Sequence, residues 1–308
     1  MINLAKIKEE KPIQEIISFS IINFDKPAGW TSFDVVNYVR KRFSVFGIKK
    51  CGHLGTLDPE VTGVLPIVVG NACKIQELFM HKDKTYIGVM KMHKDIERKE
   101  LEAGMKDFTG KINQLPPRKS RVKRQIRERQ IYEFKILSIN GRDVEFIAKV
   151  EAGTYIRKLV HDLGEHLGAG AHMVSLKRTH AGLFSEKDAE FCNLERFNKA
   201  VDALTSTIQD DKLIREILIP AEIIERFLPA LHVTEESMAK LKNGSPIFES
   251  MLVEKKDVKK AEDAKKRKGD EKEERFAVFC GEKIVEIAVS TKQFKNPEII
   301  AKPESVLI

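Results

Sequence analysis

The hydrophobic positions of this chain change period repeatedly, and each change predicts an element. Ser20-Ile-Ile-Asn-Phe24 alternates as a strand and runs into the turn chemistry of Asp25-Lys-Pro-Ala-Gly29. Val35, Val36, Val39 and Phe43 then recur at helical spacing, with Thr31 or Ser32 as the N-cap. The unbroken apolar run Val64-Leu-Pro-Ile-Val-Val69 predicts a buried strand. Residues 72–79 give a short amphipathic helix, Lys84-Thr-Tyr-Ile-Gly-Val-Met90 alternates as a strand, and residues 96–108 form a charged surface helix ended by Gly110. Residues 133–140 and 143–151 flank Gly141 as a hairpin, and a glycine turn then opens a helix that carries Arg157. Helices are expected from Leu194 to about Phe227. Beyond them, residues 232–248 read as a capped helix, a glycine turn and a strand, and residues 275–290 as alternating strands around Gly281.

One stretch breaks the periodicity: Cys51-Gly-His-Leu-Gly-Thr-Leu-Asp58-Pro-Glu-Val-Thr-Gly63-Val-Leu-Pro66. Gly52, Gly55 and Gly63 allow backbone conformations closed to other residues, and the Asp58-Pro59 pair imposes an extended or turn geometry at the aspartate. A lone carboxylate on a stiff loop, anchored by an apolar strand, suits a catalytic group. An ordinary turn aspartate is the alternative that the physics of this loop leaves open.

The chain has 308 residues, enough for two domains, is 42% hydrophobic and contains no apolar run of membrane-spanning length. The N-terminal residues are charged and carry no signal-like apolar segment, so a cytoplasmic location is expected. Cys51, Cys73, Cys192 and Cys280 lie far apart, which argues against a disulfide framework and a zinc site. The net charge of +8 favours a polyanionic partner. Its distribution is uneven: between Lys111 and Arg129 eight basic residues face Glu128 alone. Pro116-Pro117 makes this an exposed loop, in which Lys119, Arg121, Lys123 and Arg124 are candidate phosphate contacts. Residues 254–274, with nine basic and eight acidic positions, read instead as a solvated insertion or a salt-bridged helix.

The loop around Asp58 resembles the catalytic motif of pseudouridine synthases of the tRNA-modifying and dyskerin-like family. Four further segments resemble motifs of the same family: Asp25-Lys-Pro-Ala-Gly-Trp-Thr-Ser32, the strand at 84–90, Gly153-Thr-Tyr-Ile-Arg157 and Ala171-His-Met-Val-Ser-Leu-Lys-Arg-Thr179. The resemblance implies that Asp58 attacks the target uridine, Tyr86 stacks on its base, Arg157 contacts Asp58, Leu176 walls the pocket and His53 helps hold the flipped nucleotide. From the residues alone a strand aromatic such as Tyr86 is more often core, Leu176 reads as a core leucine, which is compatible with a pocket wall, and His53 reads as structural, while Lys26 either meets phosphate or supports the loop. Trp30 stands where the guided branch has proline, and Lys177 where arginine is usual.

The fold implied is α+β, with a central mixed, largely antiparallel sheet flanked by helices and a small C-terminal β-barrel resembling a PUA domain. The expected domains are an N-terminal arm (1–18), a catalytic domain (19–227) and an RNA-binding PUA-like domain (228–308) with the charged insertion at about 254–274. The implied reaction, isomerisation of uridine to pseudouridine, needs no cofactor and no metal. Residues 88–93, the Pro-Pro-Arg segment, the 139–143 turn and the PUA-like region resemble the archaeal guide-RNA branch. That branch implies substrate RNA (rRNA, with tRNA as a second substrate), a box H/ACA guide RNA, small H/ACA ribonucleoprotein subunits and no membrane. A stand-alone tRNA enzyme acting on the TΨC loop and an RNA-binding scaffold with secondary catalysis are the alternatives.

Overall fold

Residues 2–116, 123–254, 256–257, 274–290, 296 and 298–307 are described by a computed structural model. Two units are present: Ile22–Val68 with Gln76–Ile217, and Met1–Ile21 with Val69–Ile75 and Leu218–Ile308.

The larger unit is built on β1 (Phe19–Lys26), β2 (Cys51–His53), β3 (Thr62–Gly70), β4 (Lys84–Met92), β5 (Gly110–Gln114), β6 (Arg127–Asn140), β7 (Asp143–Val150), β8 (Ala171–Ala181) and β9 (Phe184–Ser185). Their order is β1-β3-β8-β4-β7-β6-β5, with β2 on β3 and β9 on β8. β3 and β8 are parallel, whereas β4–β8, β4–β7, β6–β7 and β5–β6 are antiparallel. This is the expected mixed sheet, and helices that include Ser32–Phe43, Arg98–Asp107, Ile156–His166 and Leu194–Thr205 accompany it. The apolar run of β3 is buried from Gly63 to Val69, as a strand covered on both faces requires. In β4 burial alternates, with Lys84, Tyr86, Gly88, Met90 and Met92 inward.

Two stretches differ from the periodicity. Residues 72–79 split into a 3-10 turn, Asn71–Ile75, and a helix, Gln76–Met80. The expected helical run to Phe227 stops after Lys212–Ile217, where Leu218–Pro220 forms the buried strand β10. Pro220 has no N–H to continue a helix, and the apolar Leu218 and Ile219 suit a buried strand.

In the smaller unit the helices Leu4–Glu10 and Ile13–Ser18 bury Ile7, Ile16 and Ile17. Its sheet comprises β11 (Ala230–His232), β12 (Ile247–Phe248), β13 (Arg275–Cys280), β14 (Lys283–Val289) and β15 (Ile299–Val306), in the order β11-β13-β14-β15-β12. The sheet is curled around a core that includes Leu231, Ile247, Phe276, Val278, Val285 and Ile300. Within the charged stretch Asp257 is fully buried and accepts hydrogen bonds from the His232 backbone N–H at 2.9 Å and from its Nδ1 at 3.0 Å. Apart from residues 254, 256, 257 and 274, that stretch lies outside the described residues. No helix among the described residues is long and apolar enough to cross a membrane.

Glu286 on β14 faces Val278 across the ladder and is fully buried, and among the described residues neither carboxyl oxygen has a hydrogen-bond partner. Burial pushes its pKa up to about 8. The folded state therefore holds a proton that the unfolded state releases in the ordinary glutamate range. Stability is expected to fall by a few kcal/mol, on the order of 1.4 for each tenfold difference in proton affinity, as pH rises from that range through about 8, and then to level off. Glu286→Gln should flatten this decline in urea unfolding at a series of pH values, and an unchanged slope would show that the carboxyl is not neutral in the fold.

Candidate active site

The loop that presents Asp58 is held by backbone contacts on both sides of the aspartate. Thr31 is the N-cap of the helix Ser32–Phe43, in a reciprocal capping box with Asp34, which frees Ser32 for another role. The buried Ser32 hydroxyl donates to the Leu57 carbonyl at 3.0 Å and accepts from the Leu57 N–H at 2.8 Å. Lys26, with no exposed surface, donates to the carbonyls of Pro27 (2.8 Å), Trp30 (2.6 Å) and Pro59 (2.7 Å). All three ammonium protons are thus spent inside the protein, and Lys26 supports the loop instead of meeting phosphate. Burial lowers its pKa, while Glu60, Asp58 and Asp34 oppose that shift. The non-proline residue Trp30 packs edge-on against Tyr38, with ring centroids 5.6 Å apart.

Arg178 holds the other flank. Only 1% exposed, it donates from Nε to the Val64 carbonyl at 2.7 Å and from Nη2 to the Gly55 carbonyl at 3.0 Å. Gly55 (φ +134°) and Gly63 (φ +96°) adopt backbone that side chains disfavour, and at Gly63 a Cβ would come within 2.3 Å of the Arg178 carbonyl. Gly52 has no positive φ; its requirement is the close approach of Gln76, whose Nε2 donates to the His53 carbonyl at 3.0 Å. Leu54, Leu57 and Val61 are buried around the loop, each leucine contributing about 1.5–3 kcal/mol. Asp58 is left exposed at the tip, together with Thr56, Pro59 and Glu60.

Arg157 meets it there. It lies in the first turn of the helix Ile156–His166, and its Nη2 is 2.5 Å from Asp58 Oδ2. A cation at a helix N-terminus opposes the macrodipole. Both side chains are more than half exposed, so the pair is worth about 0–1 kcal/mol to stability. The geometry therefore serves orientation: the guanidinium fixes the direction of the carboxylate.

Two further sequence-predicted residues, Tyr86 and Leu176, lie on one face of the sheet. Tyr86 pairs in register with Arg178, and Gly88 pairs with Leu176. Cross-strand partners share a face, so Tyr86 and Leu176 lie on the side from which Arg178 grips the Asp58 loop. Tyr86 is only 8% exposed; Leu176 is half-buried and leans over Gly88, where a Cβ would meet its Cδ1 at 2.8 Å. His53 accepts the Gly55 N–H at Nδ1 (3.3 Å), and burial, followed by the charge of Arg178, lowers its pKa. An uncharged imidazole beside the loop follows. Lys177 pairs with Glu186 at 2.6 Å. Lys123 and Arg124 are exposed, whereas Lys119 and Arg121 fall outside the described residues.

Sequence reasoning missed Arg178 and Lys84. Lys84 is 5% exposed, donates to the carbonyls of Met80 (2.6 Å) and Lys82 (2.5 Å), and has its pKa lowered to about 8 by burial and then by Arg178. The signal was present: each stands in phase with an inward residue, Lys84 with Tyr86 and Arg178 with Leu176. A charge at a core-facing strand position needs a reason.

Residues 41–156 match the TruB family pseudouridylate synthase N-terminal domain, and residues 157–224 match the tRNA pseudouridylate synthase B C-terminal domain. A protein named probable tRNA pseudouridine synthase B from Korarchaeum cryptofilum is 41% identical over 239 residues, which is 78% of this chain and 72% of that protein. One of the same name from Methanopyrus kandleri is 51% identical over 181 residues, and the match spans 59% of this chain and about half (53%) of that protein. Among solved structures, a Cbf5-Nop10-Gar1 complex contains a chain that superposes with a TM-score of 0.82 at 31% identity, covering 98% of this chain and 88% of that chain. A substrate-bound H/ACA ribonucleoprotein gives 0.80 at 29% identity, covering 98% and 89%. With consecutive domain matches over residues 41–224 and a relative 41% identical along most of its own length, the chain belongs to the TruB family of pseudouridine synthases, isomerases that act on RNA.

Proposed function

We propose that Asp58 engages the target uridine and that the chain is the catalytic subunit of a guide-RNA ribonucleoprotein acting on rRNA, with tRNA as a second substrate. The observation that carries the guided reading is the similarity across 98% of the chain to one chain of a Cbf5-Nop10-Gar1 complex. In this reading residues 1–18 are an arm, 19–227 the catalytic domain and 228–308 a PUA-like RNA-binding domain. The partners are a box H/ACA guide RNA and small ribonucleoprotein subunits. The names of the relatives favour a second reading, in which the chain modifies tRNA without a guide.

The reaction breaks the N1–C1′ bond of uridine and forms C5–C1′, while the C5 proton is lost and N1 gains one. It is an isomerisation, so no electron acceptor or group donor is consumed. Asp58 supplies the carboxylate that traps or stabilises the reacting fragment as the base turns. Arg157 keeps that carboxylate aimed. The uridine must leave its stack to reach Asp58, and Tyr86, Leu176 and the neutral His53 form the receiving surface. Since Tyr86 is mostly buried, stacking of the base on its ring face requires a local opening.

Asp58→Ala is expected to lower pseudouridine formation by about 10⁴-fold or more with RNA binding retained, and Arg157→Ala by about 10²–10³-fold. Residual turnover near the starting rate in Asp58→Ala would remove the aspartate from its role. Replacing Lys123 and Arg124 with glutamine should weaken RNA binding at every sequence and reduce the slope of log K against log salt by about 1–2. An unchanged slope would show that these residues touch no phosphate. Tritium release from C5-labelled uridine distinguishes the two substrate readings: release only with guide RNA and partner subunits supports the guided enzyme, and release from bare tRNA alone supports the stand-alone one.

A further inference from the structure

Gln114 ends β5 on the inward side of the sheet and is 2% exposed. A buried primary amide is costly unless its polar atoms are paired. Here they are directed to the backbone of a single residue: Oε1 accepts the Tyr155 N–H at 3.0 Å, and Nε2 donates to the Tyr155 carbonyl at 3.2 Å. Tyr155 is the N-cap of the helix Ile156–His166 and makes no side-chain capping hydrogen bond of its own. Its carbonyl also accepts the Leu159 N–H at 2.9 Å, the first turn of that helix. Arg157, the partner of Asp58, is two residues further on.

The turn before this helix is held from the next strand as well. On β6 the Gln130 N–H donates to Glu151 Oε2 at 2.9 Å, and Arg129 pairs with Glu151 at 3.7 Å. The Thr154 hydroxyl closes the turn on the Glu151 carbonyl at 2.7 Å. The hairpin β5–β6 therefore grips residues 151–155, and Gln114 is the contact made at the helix start itself. An apolar side chain would fill the same inward position, but it could not fix a neighbouring peptide group in two directions.

We infer that Gln114 is a positioning residue for the reaction, setting the start of the helix from which Arg157 reaches Asp58. The inference rests on the reading of Asp58 and Arg157 as the reacting pair. Placement matters because an error of about 1 Å in a reacting group can cost about 10²-fold in rate. Gln114 touches neither side chain of the pair in this arrangement; it acts through the backbone of Tyr155.

The test uses the full chain. Gln114→Met keeps the approximate shape and removes the polar groups. It is expected to lower the single-turnover rate on a uridine-containing RNA about 10-fold, with RNA affinity within about 2-fold of the starting protein. In an Arg157→Ala background the same change should alter the rate by less than about 2-fold, since the group it positions is gone. Gln114→Glu keeps an acceptor for the Tyr155 N–H but turns an oxygen towards the Tyr155 carbonyl, and it too should be slow. Hydrogen exchange at residues 155–159 should accelerate in Gln114→Met. Equal rate losses in both backgrounds, full activity in either Gln114 variant, or unchanged exchange would overturn the assignment. Failure of the starting protein to form pseudouridine would count against the proposed function, and the exchange measurement would still decide whether Gln114 holds the helix start.

Discussion

Lys26 carries an ammonium with no exposed surface and no carboxylate within its hydrogen-bond shell; its protons go to the carbonyls of Pro27, Trp30 and Pro59. Removing such a charge from water costs on the order of several kcal/mol unless every donor is satisfied. The arrangement is consequently intolerant of movement. If the Pro59 carbonyl retreats, a buried donor loses its partner, and the residue next to Pro59 is Asp58. Arg178 applies the same constraint from the other side through the carbonyls of Gly55 and Val64.

These contacts divide the labour of the site. Stiffness comes from below, where the buried charges of Lys26 and Arg178 are bonded to backbone carbonyls, while Asp58 and Arg157 stand more than half exposed. Asp58 and Arg157 contribute little to stability as a pair, so the fold can accept changes in their surroundings when RNA arrives. A carboxylate with no packing role at the tip of an immobilised loop is well suited to attack a substrate delivered from solution. The uncharged His53 beside it adds a polar surface without adding a competing cation.

The helix that brings Arg157 is fixed by a different device. Its N-cap residue Tyr155 makes no side-chain capping hydrogen bond, and the amide of Gln114 on a neighbouring strand instead holds that residue's own N–H and carbonyl. Lys123 and Arg124 lie just before β6, the antiparallel partner of the strand that carries Gln114. The antiparallel pair β5–β6 thus adjoins both these basic residues and the turn that precedes Arg157.

Much of this was written locally. The inward alternation of β4, the buried run of β3, the hairpin at Gly141 and the glycine-punctuated loop at Asp58 follow from periods, turn residues and conformational limits that act over a few positions. The pairing of Arg157 with Asp58 was also anticipated, through motif resemblance. What the sequence left open depended on partners far along the chain. Whether Lys26 met phosphate or carbonyls was decided by Pro59, 33 residues away, and the role of Arg178 by Val64, 114 residues away. Which of Thr31 and Ser32 capped the helix depended on where the Leu57 peptide came to rest. Asp257 reads as one charge in a solvated run until the His232 backbone lies against it. A polar side chain in a sequence states what it can donate or accept, but only the folded chain supplies the group within about 3 Å that gives that capacity its meaning.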